Sequence, residues 1–188
     1  AAARGARVIL CDERAHSGGS LLADDRARID GQTSAEWVDG TMAQLRANPR
    51  VRVLQRTTAF GYFPHNLMGL SERLTDHLAA PPPGLARERL WQVRAREVIL
   101  ATGAIEQPLV FPGNDRPGIM LSHAAATYVS NGANPFRTAV VVTVDNQGYR
   151  DAIRLHNAGV NVAAIVDIRK KVSKSSKKSS RKAVEKLG

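Results

Sequence analysis

Two acids, Asp12 and Glu13, close an apolar run in the stretch GARVILCDERAHSGGSLL, residues 5–22. A carboxylate at the tip of a parallel strand can accept hydrogen bonds from the hydroxyls of an adenosine ribose. That is the role of the acid ending the second strand of a dinucleotide-binding unit. The same charge disfavours a 2′-phosphate by like-charge repulsion. Either Asp12 or Glu13 could serve, and on this pair alone an ordinary strand end is an equally good reading, because the glycine fingerprint is lacking. The SGGS turn that follows, with Gly19 and Ser20, offers backbone that a ligand can approach closely, or is a plain turn.

A second signal is VILATGA, residues 98–104. An apolar strand ending in Ala-Thr-Gly-Ala lets backbone at Thr102 and Gly103 pass near a dinucleotide, where a side chain would collide. Alone it reads as a buried strand and a glycine turn. In this order and separation after the strand-tip acid, the nucleotide-binding reading is the better one. A third unit, the turn VDNQGYRDA, has a single glycine, Gly148, where a fingerprint has three. It reads as scaffold rather than as a pyrophosphate site.

Other chemistry is weakly supported. Cys11 is the only cysteine, so neither an intrachain disulfide nor a C-x-x-C pair exists. The five histidines, at 16, 65, 77, 123 and 156, show no metal-ligand spacing. No G-x-S-x-G elbow accompanies the serines. No catalytic residue and no metal ligand is assigned.

The elements needed to position these residues can be read from periodicity. A helix end at 1–5 precedes a buried parallel strand over 7–11. Residues 34–48 form a helix with Trp37, Val38, Met42 and Leu45 on one side, capped by Ser34 and stopped by Asn48-Pro49. Strands follow at 51–56 and 57–63, and an exposed strand or hairpin over 67–78. AAPPPGL is a loop, with strands at 89–95 and 97–101 beyond it. A turn-rich crossover over 108–119 leads to a helix at 122–130 capped by Ser122. A strand at 138–144, a helix at 149–158 and a strand at 160–166 complete a βαβ unit. Trp37 and Trp91 are packing residues.

The formal net charge of +10 is uneven. Residues 169–188 carry seven Lys and two Arg against Glu185, whereas residues 1–168 contain no lysine. This Lys/Ser-rich tail is expected to be disordered, with a short helix possible at 181–187. No aromatic residue interleaves to stack on bases, so nucleic acid is not an expected partner. With no run of eighteen apolar residues and no signal-peptide pattern, the expectation is a cytoplasmic chain without a membrane span.

The segments VILCDERAHSGGSLL, RTTAFGYFPHN, ERLTDHL, REVILATGAIEQPLVFPGNDRPGIMLSHAAATYV and AAIVDIR together resemble the α subunit of heterotetrameric sarcosine oxidase. The resemblance runs in order from Ala1 to about Arg169. It implies part of an oxidoreductase that demethylates sarcosine to glycine with O2, giving H2O2 and formaldehyde or methylene-tetrahydrofolate. It implies NAD bound by the α subunit, FMN at the α/β interface and FAD held by a β subunit. Partners would be the β subunit, the other subunits, an amine substrate and tetrahydrofolate. Carried over by position, the NAD site comprises Asp12, Glu13, Arg14, Ser20 and Ala59. Ala59 would touch the adenine edge, and Arg14 could lie over the adenine face. Gly19, Thr102 and Gly103 complete the set of cofactor-binding residues.

The implied fold is α/β: a partial two-dinucleotide-binding-domain flavoprotein, Rossmann-like, with an inserted β region and truncated at both ends. Residues 1–136 would be an incomplete FAD/NAD(P)-binding-type domain lacking its glycine loop. Residues 137–168 would be the βαβ of a second nucleotide-type half, and 169–188 the tail. The isolated chain is expected to be inactive and to bind NAD weakly or not at all. Two alternatives stand beside this: an α-type subunit of an opine oxidase or hydrogen cyanide synthase, and a non-catalytic binding protein with a basic tail.

Overall fold

The computed structural model describes residues 1–23 and 28–170. The chain mixes helices and sheets and divides into two compact units, Ala1–Ala101 and Thr102 onward. The expected disordered tail lies outside the described residues except for Arg169 and Lys170, and the helix at 181–187 lies wholly outside them.

In the first unit, β1 (Val8–Cys11) lies parallel to β4 (Val51–Leu54), with Val8 opposite Val51 and Cys11 opposite Leu54. Between them run a small hairpin and a helix. The hairpin joins β2 (Arg28–Ile29) to β3 (Gln32–Thr33) through Asp30 and Gly31, both at positive φ, 51° and 80°. Two consecutive positive-φ residues are what a two-residue hairpin turn needs, and Asp-Gly supplies them. The helix α1 (Ser34–Ala47) is capped by Thr33, one residue before the expected Ser34. Thr33 Oγ1 accepts from the Glu36 N–H at 3.2 Å, and Glu36 Oε2 accepts from the Thr33 N–H at 2.8 Å. Each thereby satisfies a donor that the first turn would leave orphaned. Helical spacing buries Val38 and Met42, while Trp37 and Leu45 are half-buried. Asn48 ends the helix in an extended conformation (ψ 116°), as a residue preceding proline prefers.

The second sheet of this unit is antiparallel, in the order β5 (Thr57–Phe63), β6 (Leu67–Arg73), β7 (Glu88–Arg94). The expected exposed strand at 67–78 is instead central, ends at Arg73, and buries Leu70. Opposite Leu70 sits Trp91. The guanidinium groups of Arg52 and Arg89 each lie over its ring, 5.2 and 5.6 Å from the centroid, and its indole N–H donates to Glu72 Oε2 at 2.8 Å. Charge stacked on the ring face and a bonded indole N–H make Trp91 a packing residue with both polar demands met.

The expected strand over 97–101 does not form. Residues 97–101 have no ladder partner among the described residues, and Ile99 and Leu100 are 83% and 68% exposed. An apolar run is a strand only when a neighbour takes up its N–H and C=O groups. Composition alone does not provide that neighbour.

The second unit is built on the expected βαβ arrangement. The strand β8 (Thr138–Thr143) is parallel to β9 (Asn161–Asp167), joined through α3 (Gln147–Asn157). The core comprises Ala125, Val141, Ala152, Leu155 and Val160, with Ala125 contributed by α2 (Ser122–Ser130). A Cβ on Gly148 would come 2.4 Å from Thr143 Cβ, so the single glycine of this turn serves close helix–strand packing. Ser122 is the first residue of α2, not its cap. Its hydroxyl donates towards Glu106 Oε1 and Asp151 Oδ2, each at 2.9 Å, while Glu106 Oε2 takes the His123 N–H at 2.9 Å. Asp151 is fully buried and also accepts from Gln147 Nε2 (3.0 Å) and Arg154 Nη1 (3.1 Å). Arg169 is anchored to Asp167 (2.5 Å) and to Asn146 Oδ1 (3.2 Å).

Candidate functional site

The strand-tip acids are held by the link between β4 and β5. The ladder of β1 continues one residue past Cys11, since the Asp12 N–H donates to the Leu54 carbonyl at 2.9 Å. The Thr57 N–H donates in turn to the Asp12 carbonyl at 2.8 Å. Beyond that point the chain turns. Asp12 Oδ1 accepts from the Arg14 N–H at 3.0 Å, the local bond by which an aspartate stabilises a turn. The Arg14 carbonyl accepts from the Arg56 N–H at 2.9 Å, and Arg56 adopts positive φ (51°) between the two strands.

This arrangement separates the two acids. Asp12 is half-buried and spends a carboxylate oxygen on its own turn. Glu13 is exposed, and its carboxylate makes no hydrogen bond or ion pair among the described residues. The Glu13 carbonyl, by contrast, accepts from Arg73 Nη2 at 2.9 Å, a bond made across 60 residues of sequence. Glu13, Arg14, Ala15, Thr58 and Arg73 line a depression open to solvent. Cys11, the last residue of β1, is half-buried. Burial foremost, and the neighbouring Asp12 charge, push its thiol above the usual range against a lowering backbone hydrogen bond.

The other assigned residues are placed as follows. Gly19 and Ser20 begin a 3-10 turn over Gly19–Ala23. A Cβ on Gly18 would come 2.9 Å from Leu22 of the same turn and 3.1 Å from Val38 of α1, so the close approach here is to the protein's own side chains. Ala59 lies exposed on β5, opposite Leu70. Thr102 and Gly103 belong to the second unit, both exposed. Gly103 has φ +73°, and a Cβ there would meet nothing within 4 Å. The structure thus gathers Glu13 and Arg14 at the depression, with Asp12 as the former of the turn that carries them. Sequence reasoning missed Ala15, Thr58 and Arg73. Thr58 was within sight, beside Ala59 in the TTAFG run, but nothing local marks Arg73.

Among the described residues no three His, Cys, Asp or Glu side chains are gathered to hold a metal ion. No helix among them is long and apolar enough to cross a membrane.

No protein-family model matches the chain. It is 49% identical over 166 residues to the alpha subunit of the sarcosine oxidase of Rhizobium meliloti (strain 1021), covering 88% of this chain and 17% of the relative. It is 44% identical over 171 residues to that of Corynebacterium sp. (strain P-1), covering 90% and 18%. An opine oxidase subunit from Agrobacterium tumefaciens (strain Ach5) is 28% identical over 172 residues, covering 89% and 33%. The chain therefore spans under a fifth of the length of the sarcosine oxidase relatives, and over nearly nine-tenths of its own length it is homologous to the sarcosine oxidase α subunits.

Proposed function

We propose that the chain is part of a sarcosine-oxidase-type α subunit, in which it supplies the adenosine wall of an NAD site. The observation that carries this is the Glu13 carboxylate: exposed at the tip of a parallel strand, unspent among the described residues, and held by a turn that Asp12 closes. Such a carboxylate fits the two hydroxyl donors of an adenosine ribose. Arg14, in the same depression, is assigned to the adenine face. Gly19, Ser20 and Ala59 are the further first-unit residues of the assignment. Thr102 and Gly103 remain sequence-based assignments within the second unit.

NAD, when bound, brings the ribose hydroxyls and a pyrophosphate. The residues described supply acceptors for the first and no glycine-rich cradle of N–H groups for the second. Binding by this chain alone is therefore weak on this reading, because the pyrophosphate would lack its main anion site. Oxidation of an N-methyl amine with O2, with tetrahydrofolate as methylene acceptor and at flavins shared with a β subunit, belongs to the whole complex. None of this chain's residues is assigned a proton- or hydride-transfer step. The higher identity to the sarcosine oxidase subunits than to the opine oxidase subunit, 49% and 44% against 28%, favours sarcosine over opines as the amine class.

Saturation-transfer NMR on the purified chain tests the site, since it detects weak ligands. Adenosine should receive saturation, and Glu13→Gln should remove it while the chain stays folded. A folded wild-type chain that leaves adenosine unsaturated would overturn the reading.

A further inference from the structure

The bond from Arg73 Nη2 to the Glu13 carbonyl has no part in either β-ladder. We propose that Arg73 is a positioning residue for nucleotide recognition, fixing the Glu13 backbone so that its carboxylate is presented to the ribose; this rests on the adenosine-site reading above. Asp12 and Arg14, on either side, are tied by backbone bonds to Thr57 and Arg56, and Asp12 also to Leu54. At Glu13 itself the tie is the Arg73 side chain. Arg73 is well placed for it. Its own N–H donates to the Arg56 carbonyl at 3.0 Å, so its backbone is fixed to the same β4–β5 link that holds the turn. A planar guanidinium with several donors in a rigid fork holds a carbonyl with less lost freedom than an ammonium does.

The geometry also separates positioning from folding. Arg73 and Glu13 are both exposed, so water can satisfy the Glu13 carbonyl once the guanidinium is gone. What is lost is the fixed direction of the acid. A ligand group held by a loose supporting shell binds less selectively, even when every contacting residue is present.

The probes are adenosine and 2′-deoxyadenosine, compared by saturation-transfer NMR titration of the full chain. Wild type should prefer adenosine, and Glu13→Gln should abolish the preference. Arg73→Met should lower the preference roughly threefold or more, the worth of one hydrogen bond, with an unchanged melting midpoint. Arg73→Lys, which keeps a donor, should recover part of it. Should Arg73→Met not fold, Arg73→Gln is judged by the same criterion. A merely structural role would weaken both nucleosides equally and leave their ratio alone, and that result overturns the proposal. So does a variant that loses adenosine 5′-monophosphate but keeps the nucleoside preference, which would make Arg73 a phosphate contact. Absence of any preference in wild type sinks the adenosine-site reading itself. Preference in wild type that survives in Arg73→Met sinks only the role of Arg73.

Discussion

The Arg14 backbone N–H donates to Asp12 Oδ1 at 3.0 Å, and this one bond gives two adjacent acids different work. Asp12 shapes the turn, and Glu13 stands on it. Substitutions should separate the two. Asp12→Ala removes the acceptor and should cost about 1 kcal/mol in urea unfolding. Glu13→Gln removes a charge that holds nothing among the described residues, and should leave the urea midpoint unchanged while abolishing adenosine saturation. Equal destabilisation by both substitutions would contradict the division.

Much of this was legible in the residues, for reasons that differ by element. Helix α1 and the β8–α3–β9 unit follow from periodicity and from stop signals such as Asn48-Pro49, because their hydrogen bonds or their pairing are nearly local. The β2–β3 hairpin carries its Asp30-Gly31 signal openly, yet its strands are two residues each, too short for alternation to show. The apolar run at 98–100 misled, since strand formation depends on a partner that local sequence does not specify. Of the site, the acid pair was visible, but its division was not. That depends on a turn geometry set by Arg56 and Thr57, more than forty residues away, and on Arg73, which is 60 residues from Glu13.

Thr33 and Glu36 form a reciprocal cap at the start of α1. Losing the hydroxyl in Thr33→Ala should cost about 1 kcal/mol at neutral pH. The Thr33 hydroxyl and backbone N–H both bond the Glu36 carboxylate and hold its pKa below the ordinary value. A carboxyl depressed in the folded state stabilises the fold above its unfolded pKa and loses that contribution as pH falls through the folded one. Wild type should therefore lose stability over this acid window, and Thr33→Ala should lose less. Parallel acid limbs in urea titrations of the two chains would refute the coupling.

The buried Asp151 binds the second unit together by collecting Ser122, Gln147 and Arg154. Its ion pair with Arg154 is almost wholly removed from water, with side chains 0% and 14% exposed. Asp151→Ala would leave a guanidinium and an amide without this acceptor, the Ser122 hydroxyl keeping Glu106 Oε1, and should cost about 3 kcal/mol or more. Ser122→Ala removes one donor and should cost about 1 kcal/mol. Because one of the two acceptors of the Ser122 hydroxyl is Asp151 itself, the double variant should lose less stability than the two single losses added together. Additive losses in denaturant unfolding would show that Ser122 is anchored independently.

Cys11 closes β1 immediately before the acid turn, and as the chain's only cysteine it reports on that spot without interference. Burial, aided by the Asp12 charge, raises its pKa in the folded chain. The thiolate is the reactive form, so at pH 8 iodoacetamide should modify the folded chain more slowly than the urea-unfolded chain. The pH midpoint of that reaction should lie higher in the folded state. Linkage gives the matching sign for stability: the preference for the neutral thiol is present below the unfolded pKa and lost as pH rises through the folded one. Asp12→Asn removes the neighbouring charge and should move the midpoint back part of the way, the rest being burial. Equal alkylation rates in the folded and unfolded chains would mean that the end of β1 is open to solvent, and the half-buried support drawn here for the Asp12–Arg14 turn would fail with it.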